Sequence, residues 1–268
     1  MKPTLISSVQ ALLDKVSSLT GKGFEFREKK DLPVYAALKL ARSGMPAHII
    51  YFDPKHDAVI NHLVAHECGH ALRMWGTPAE QRLVSKFGEK NRRIALYQME
   101  GDILEISQSL SFERLTELIN FLYHGLVRQL TSMPPDIMIE YWLYDDFPDL
   151  RPYQPMCLLR QQIEAIKGLD FKISRIVPVK IVAASNTMNY CFLRLVGMHM
   201  GQNLVSPYDG SVYVKRGKEL AEITAREYRN DYLGDIAMTN RWAAFLELQD
   251  WFSWTSFEDM PPGYLDTV

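Results

Sequence analysis

Apolar residues recur at helical spacing along most of the chain, and short alternating or β-branched runs occur only near its beginning. Residues 5–19 carry apolar side chains three and four positions apart, a spacing that predicts an amphipathic helix. Residues 24–27, 34–40 and 48–52 predict short strands, the last of which ends at Asp53-Pro54. A helix over residues 57–75 follows directly. The beginning of the chain therefore predicts a small sheet that leads into a helix.

After residue 75 the pattern is almost wholly helical. The predicted helices cover residues 78–87, 91–110, 115–130, 137–147, 156–166, 187–200, 218–230 and 236–251. Met133-Pro134-Pro135-Asp136 interrupts this series, residues 171–184 fit a strand or a helix equally well, and the tail from residue 256 is expected to be irregular.

These elements predict an α+β fold that is mainly helical. A small N-terminal β-sheet packs on the helix over residues 57–75, and a helical body follows. We predict one domain over residues 1–150 and a mostly helical C-terminal extension over residues 151–268, which is either separate or part of the same domain.

Composition and charge narrow the classes of protein to which the chain can belong. Its hydrophobic content of 47% and charged content of 23% are ordinary for a globular protein. A net charge of −2 offers no basic excess for nucleic acid or an anionic membrane. Three widely spaced cysteines suit a reducing compartment, and no apolar run approaches the roughly 20 residues that span a bilayer. The sequence therefore predicts a cytoplasmic protein without nucleic-acid or membrane partners.

The centre of the helix over residues 57–75 reads His66-Glu67-Cys68-Gly69-His70. Residues four apart lie on one helix face, so His66 and His70 can direct two imidazoles at one metal ion. A catalytic zinc takes three protein ligands and keeps a position for water, whose pKa it lowers to about 7. Glu67 lies about 100° round the helix from His66, where its carboxylate can take a proton from that water as general base.

His62 continues the four-residue spacing, but three such histidines cannot share one ion. His62 and His70 lie about 12 Å apart along the helix axis, whereas zinc–nitrogen bonds measure about 2.0–2.1 Å. We therefore expect His62 to lie at the rim of the site, behind the ligands or on the surface.

A third ligand must come from elsewhere in the chain. The metzincin pattern needs a glycine three residues after His70 and a histidine six residues after it, but Arg73 and Gly76 stand there. The cysteine that peptide deformylases take from an upstream motif is also lacking, since no cysteine precedes Cys68. A carboxylate on a later helix remains, and the candidates are Glu80, Glu100, Asp102, Glu105 and Glu140.

Glu140 is the preferred third ligand because the residues around it are almost all apolar. A carboxylate is costly to bury in such a segment unless it is paired or bound to a metal. Asp136, one turn earlier, is a candidate to orient a ligand histidine. Glu100 and Glu105 remain as alternatives because they are nearer to His70 in the sequence.

The order of a strand at residues 48–52, the helix with His66-Glu67-Cys68-Gly69-His70 and a later carboxylate helix resembles the gluzincin clan of zinc peptidases. In particular, the chain resembles the compact minigluzincins and the ImmA/IrrE-type peptidases, over residues 30–75 and as far as about 145. The resemblance implies that His66 and His70 bind Zn²⁺ and that Glu67 is the general base. We thus predict a zinc metallopeptidase that hydrolyses a peptide or protein substrate. The alternative is a zinc-binding regulatory or interaction protein without turnover.

Overall fold

The computed structural model describes residues 3–30, 32, 35–42 and 44–260. The chain is mainly helical, with a three-stranded sheet near its N-terminus, which confirms the predicted α+β class. No helix in these ranges combines the length and apolarity that crossing a membrane requires.

The chain folds into two compact units, each assembled from separate stretches of sequence. The first unit comprises the described residues within Met1–Val84, Met138–Leu158 and Thr255–Val268, and the second comprises Ser85–Ile137 and Leu159–Trp254. The predicted division at residues 150 and 151 is a different boundary, drawn from the expected metal site, and it stays a prediction.

The first unit begins with the helix and the sheet that the sequence predicted. Helix α1 spans Ser7–Thr20, and strands β1 (Gly23–Glu28), β2 (Ala36–Lys39) and β3 (Ala47–Phe52) form a sheet in the order β1-β3-β2. Strand β1 runs parallel to β3, whereas β2 runs antiparallel to it. Strand β2 therefore lies at an edge of the described sheet. Position 34 of the predicted second strand lies outside the described residues.

Helix α2 spans Ile60–Trp75 and carries the histidine motif. A 3-10 turn over Pro54–Val59 precedes it, so the α-helix begins three residues later than the sequence predicted. The Asp53 side chain accepts a hydrogen bond from the Lys55 N–H and caps that turn. Apolar residues of α2 pack in one core with α1, β2 and β3; on α2 these are Ile60, Val64, Ala65, Cys68 and Ala71. This packing fixes which face of α2 carries the histidines.

Helix α5 spans Phe112–Asp146 without a break, whereas the sequence predicted two helices separated at residues 133–136. Pro134 and Pro135 lie inside it, and their fixed φ suits a helix although neither donates a backbone hydrogen bond. Leu130 before the prolines and Ile137 after them are both fully buried. The predicted break was wrong because buried side chains on both sides hold the helix together despite the missing donors.

The second unit contains most of the helices that the sequence predicted after residue 75. Residues 91–110 form two helices rather than one, and residues 171–200 contain a single long helix that begins after Pro178. The helices after α2 are α3 (Glu89–Gln98), α4 (Glu100–Ser107), α5, α6 (Gln154–Ile166), α7 (Val179–His199), α8 (Val214–Glu227) and α9 (Tyr232–Leu246).

The helix predicted over residues 78–87 was wrong. A 3-10 turn at Ala79–Gln81 is followed by strand β4 (Leu83–Lys86), which pairs with β5 (Ser253–Ser256). The Arg82 carbonyl accepts a hydrogen bond from the Phe257 N–H just beyond β5. This strand partner lies about 170 residues away in the sequence, so a local pattern could not reveal it.

Candidate metal centre

His66 and His70 lie one turn apart on α2, as the motif requires. Their ring centroids are 5.0 Å apart, and both residues are partly exposed. Ile60, Val64, Ala65 and Cys68 on the opposite side of the helix are buried. The two imidazoles therefore stand side by side at the accessible side of α2.

Helix α2 and the C-terminal part of α5 approach each other closely at Gly69. A Cβ atom on Gly69 would lie 2.7 Å from Cγ2 of Ile139, a distance that real Cβ atoms do not tolerate. Gly69 separates the motif's cysteine from His70, and Ile139 immediately precedes Glu140. The absence of a side chain at residue 69 thus lets α5 bring Glu140 against the histidine face of α2.

Glu140 is enclosed by donors from three side chains. Its Oε1 atom is 2.8 Å from Nδ1 of His66 and 3.1 Å from Nε2 of His62, and its Oε2 atom accepts a 2.5 Å bond from Nε2 of Gln154. Only 1% of Glu140 is exposed. Burial alone would raise the pKa of the Glu140 carboxyl, but the charges and hydrogen bonds of His62 and His66 hold that pKa well below its usual range. Glu140 is therefore an ionised, fully desolvated acceptor.

His62 is buried, so of the three expected places (at the rim, behind the ligands or on the surface) only a place behind the ligands agrees with the structure. It is 1% exposed, and its Nε2 atom contacts Glu140. The four-residue spacing that links His62 to His66 was the sequence signal for this contact. The axial distance argument excluded His62 only as a partner of His70 on one ion, and it left open a shared contact with Glu140.

Gln154 was missed from the sequence altogether. It is fully buried at the first position of α6, and its Nε2 atom also donates to the Glu140 backbone carbonyl at 2.8 Å. A glutamine after Tyr153 in a proline-rich stretch carries no pattern that points to Glu140. Only the fold reveals this pairing.

The Glu67 side chain extends from α2 towards strand β2 at the edge of the sheet. Its Oε2 atom accepts a hydrogen bond from the Leu38 N–H of β2 at 3.2 Å. Leu38 is paired with Ile50 of β3 on its other side. The carboxylate that the sequence singled out as general base therefore lies at the edge strand, partly exposed.

The donor set in the first unit fits a metal ion. Ligand atoms of His62, His66 and Glu140 all lie within 4.8 Å of one another, and imidazole with carboxylate is a combination that suits zinc. Two buried atoms in this cluster, Nδ1 of His62 and Oε1 of Gln154, have no hydrogen-bond partner among the described residues. Buried polar atoms are rarely left unpaired unless an ion or water completes the site.

The predicted set of His66, His70 and Glu140 is only partly assembled. Glu140 contacts His66, and His70 lies beside His66, but within the described ranges the three do not form one group of mutually close ligand atoms.

The other carboxylates suggested by the sequence lie elsewhere. Glu80 is exposed in the 3-10 turn after α2, and Glu100 and Glu105 are exposed on α4 of the second unit. Asp102 accepts a hydrogen bond at 2.8 Å from the Val179 N–H, the first of α7, and so serves a helix terminus. None of the four belongs to a described group of ligand atoms that fits a metal.

Comparison with known proteins gives no relative: no family model, curated protein or solved structure matches the chain.

Proposed function

We propose that the protein is a zinc-dependent peptide hydrolase whose general base is Glu67. The observation that carries this proposal is the joint placement of three side chains on α2. His66 and His70 stand side by side with ring centroids 5.0 Å apart, and Glu67 lies next to them at a strand edge. Two imidazoles and an adjacent carboxylate are the groups that a metal-assisted hydrolysis needs.

His66 and His70 would hold the zinc ion, and a third side chain would complete the ligand set. Zinc bound there supplies a Lewis acid and a water whose pKa is about 7. Glu67 would act as general base, taking up a proton from the attacking water and delivering it to the leaving amine. The Leu38 N–H holds Oε2 of Glu67 at the strand edge during these steps.

A peptide is the substrate class that the surroundings of Glu67 favour. Strand β2 has a described strand neighbour on one side only, and the Leu38 N–H on its other side points at Glu67. Strand geometry repeats every two residues, so the backbone of Ala36 presents its polar groups to the same side. An extended peptide that adds to this edge would lie alongside Glu67 with its carbonyl groups exposed to attack.

The test is the isosteric change Glu67→Gln, with exposed Glu164→Gln on α6 as the matched control. Zinc content and cleavage of an unfolded protein such as casein are measured with and without a chelator. Wild type and control should cleave in a chelator-sensitive manner. Glu67→Gln should retain its zinc and lose at least about 100-fold in rate, since it has no proton acceptor. Undiminished cleavage by Glu67→Gln would contradict the mechanism.

A zinc-binding regulatory protein without turnover is the second candidate, because Glu67 is already engaged by the Leu38 N–H. Zinc bound by wild type without chelator-sensitive cleavage of any offered peptide would favour this candidate.

A further inference from the structure

We propose that Glu140 positions His66 and that His62 and Gln154 brace Glu140, so that Glu140 is not itself a metal ligand. This inference rests on the proposed metal centre and assigns roles to three buried residues around it. It replaces the role for Glu140 that the sequence favoured.

The hydrogen bonds of Glu140 leave little of the carboxylate for a metal. Its Oε1 atom lies within 3.1 Å of two imidazole nitrogens, and its Oε2 atom accepts from Gln154. An ionised carboxylate only accepts hydrogen bonds, so both imidazole nitrogens that face it carry protons. A metal bond at Oε1 would therefore displace two charge-assisted hydrogen bonds in a site that excludes water.

The hydrogen bond between Glu140 and His66 also orients the His66 ring for metal binding. With the proton on Nδ1 and directed at Glu140, the lone pair of neutral His66 is on Nε2. A histidine ligand whose second nitrogen donates to a carboxylate is held in one tautomer and one ring orientation, and it becomes a more basic ligand. His66 remains accessible, since 15% of its side chain is exposed, whereas only 2% of the His62 side chain is.

Solvent accessibility argues against the alternative that His62, His66 and Glu140 bind the catalytic metal directly. A catalytic metal keeps an open position for water and substrate. His62 and Glu140 are each 1% exposed, so an ion held between them would be closed to substrate. If Glu140 positions His66, another residue must supply the third ligand.

Gln154 makes the brace rigid because one side chain holds both the backbone and the carboxylate of Glu140. Its Nε2 atom donates to the Glu140 carbonyl and to Oε2. Its Oε1 atom has no described partner, so rotation of the amide by 180° would present an acceptor to residue 140. The same rotation breaks the bond of Nε2 to the residue 140 carbonyl and moves Nε2 to where Oε1 now has no described partner. Glu140→Gln therefore loses part of the brace, although it keeps an acceptor for His66 and His62.

Two pairs of substitutions test the assignment in the full-length protein. Glu140→Gln keeps an acceptor for His66 and His62, and Glu140→Ala removes it. His62→Gln keeps a donor at the place of Nε2, and His62→Leu removes it. We measure the Zn²⁺ dissociation constant by competition with a chromophoric chelator, and the visible spectrum after substitution with Co²⁺. Circular dichroism and thermal melting of the metal-free variants show whether each is folded.

We expect Glu140→Gln and His62→Gln to bind one metal ion with the wild-type Co²⁺ spectrum and at most about 10-fold weaker affinity. Glu140→Ala and His62→Leu should weaken binding by about 10- to 100-fold, the usual effect of losing an orienting partner. Near-normal binding by the two glutamine variants, beside weakened binding by Glu140→Ala and His62→Leu, would not result from general damage to the fold.

A changed Co²⁺ spectrum or lost stoichiometric binding in folded Glu140→Gln would make Glu140 a ligand and overturn the proposal. The same result in His62→Gln would show that the metal sits within the closed cluster, and would overturn it as well. A wild-type protein that binds neither Zn²⁺ nor Co²⁺ would instead refute the metal centre itself.

Discussion

Gly69→Ala tests whether the close approach of α2 and α5 holds the candidate site together. The added Cβ would meet Cγ2 of Ile139 at 2.7 Å and Cγ1 at 3.1 Å. Ile139 is 1% exposed and is stiff because it is β-branched, so it cannot simply turn away. Helix propensity alone would make alanine more stable than glycine by about 1 kcal/mol. Overpacking a well-packed core costs about 1–3 kcal/mol, so the net change should be neutral to about 2 kcal/mol destabilising.

A double-mutant cycle isolates this contact from the change in propensity. Urea unfolding of wild type, Gly69→Ala, Ile139→Ala and the double variant gives the coupling free energy between residues 69 and 139. Because Ile139→Ala makes room for the new methyl group, Gly69→Ala should be stabilising in that background, with a coupling of about 1–3 kcal/mol. Zinc affinity should fall in Gly69→Ala, since α5 would carry Glu140 away from His66. A variant that is about 1 kcal/mol more stable, with no coupling and unchanged zinc affinity, would refute the close approach.

Two further predictions concern buried groups of the fold. Burial, aided by Lys22, lowers the pKa of His48 to about 4, and its Nδ1 atom accepts a bond from the Ala41 N–H. The folded pKa lies below the unfolded value of about 6.5, so the contribution of His48 to the free energy of unfolding is fully present above pH 6.5. That contribution should fall by up to about 3 kcal/mol as the pH is lowered to 4. Urea unfolding across that range should show this loss in wild type and a flatter profile in His48→Gln. Cys68, Cys157 and Cys191 are all buried, and burial raises the pKa of the Cys68 thiol. A thiol reagent should therefore label the native protein slowly and react with three thiols only after denaturation. Rapid labelling of the native protein would contradict the buried placement of these cysteines.

The spacing of apolar residues predicted most of the elements in the first part of the chain. Helix α1, strands β1 and β3 and the helix of the histidine motif all lie where apolar spacing indicated them. The continuity of α5 through Pro134 and Pro135 could not be predicted, because the burial of Leu130 and Ile137 on either side is a tertiary effect. The pairing of β4 with β5 likewise depends on residues far apart in the sequence.

The candidate site was predictable to the extent that it lies on one helix. Spacing alone placed His66, Glu67 and His70 together, and the apolar surroundings of Glu140 predicted that a carboxylate would be buried there. The contact of His62 with Glu140 depends on the separation of two helices, which Gly69 sets.

Two hydrogen-bond partners of the candidate site could not be predicted from the sequence. Gln154 lies among prolines, and Leu38 contributes only a backbone N–H, which any residue but proline has.

The metal content of the purified chain tests the central claim most directly. Zinc per chain is measured by mass spectrometry of wild type, of the double variant His66→Ala/His70→Ala, and of His199→Ala, which replaces an exposed histidine at the end of α7. We predict one zinc ion per chain in wild type and in His199→Ala, and none in the double variant. A wild-type protein without bound zinc after zinc is supplied, or a double variant that retains it, would contradict the metal centre on α2.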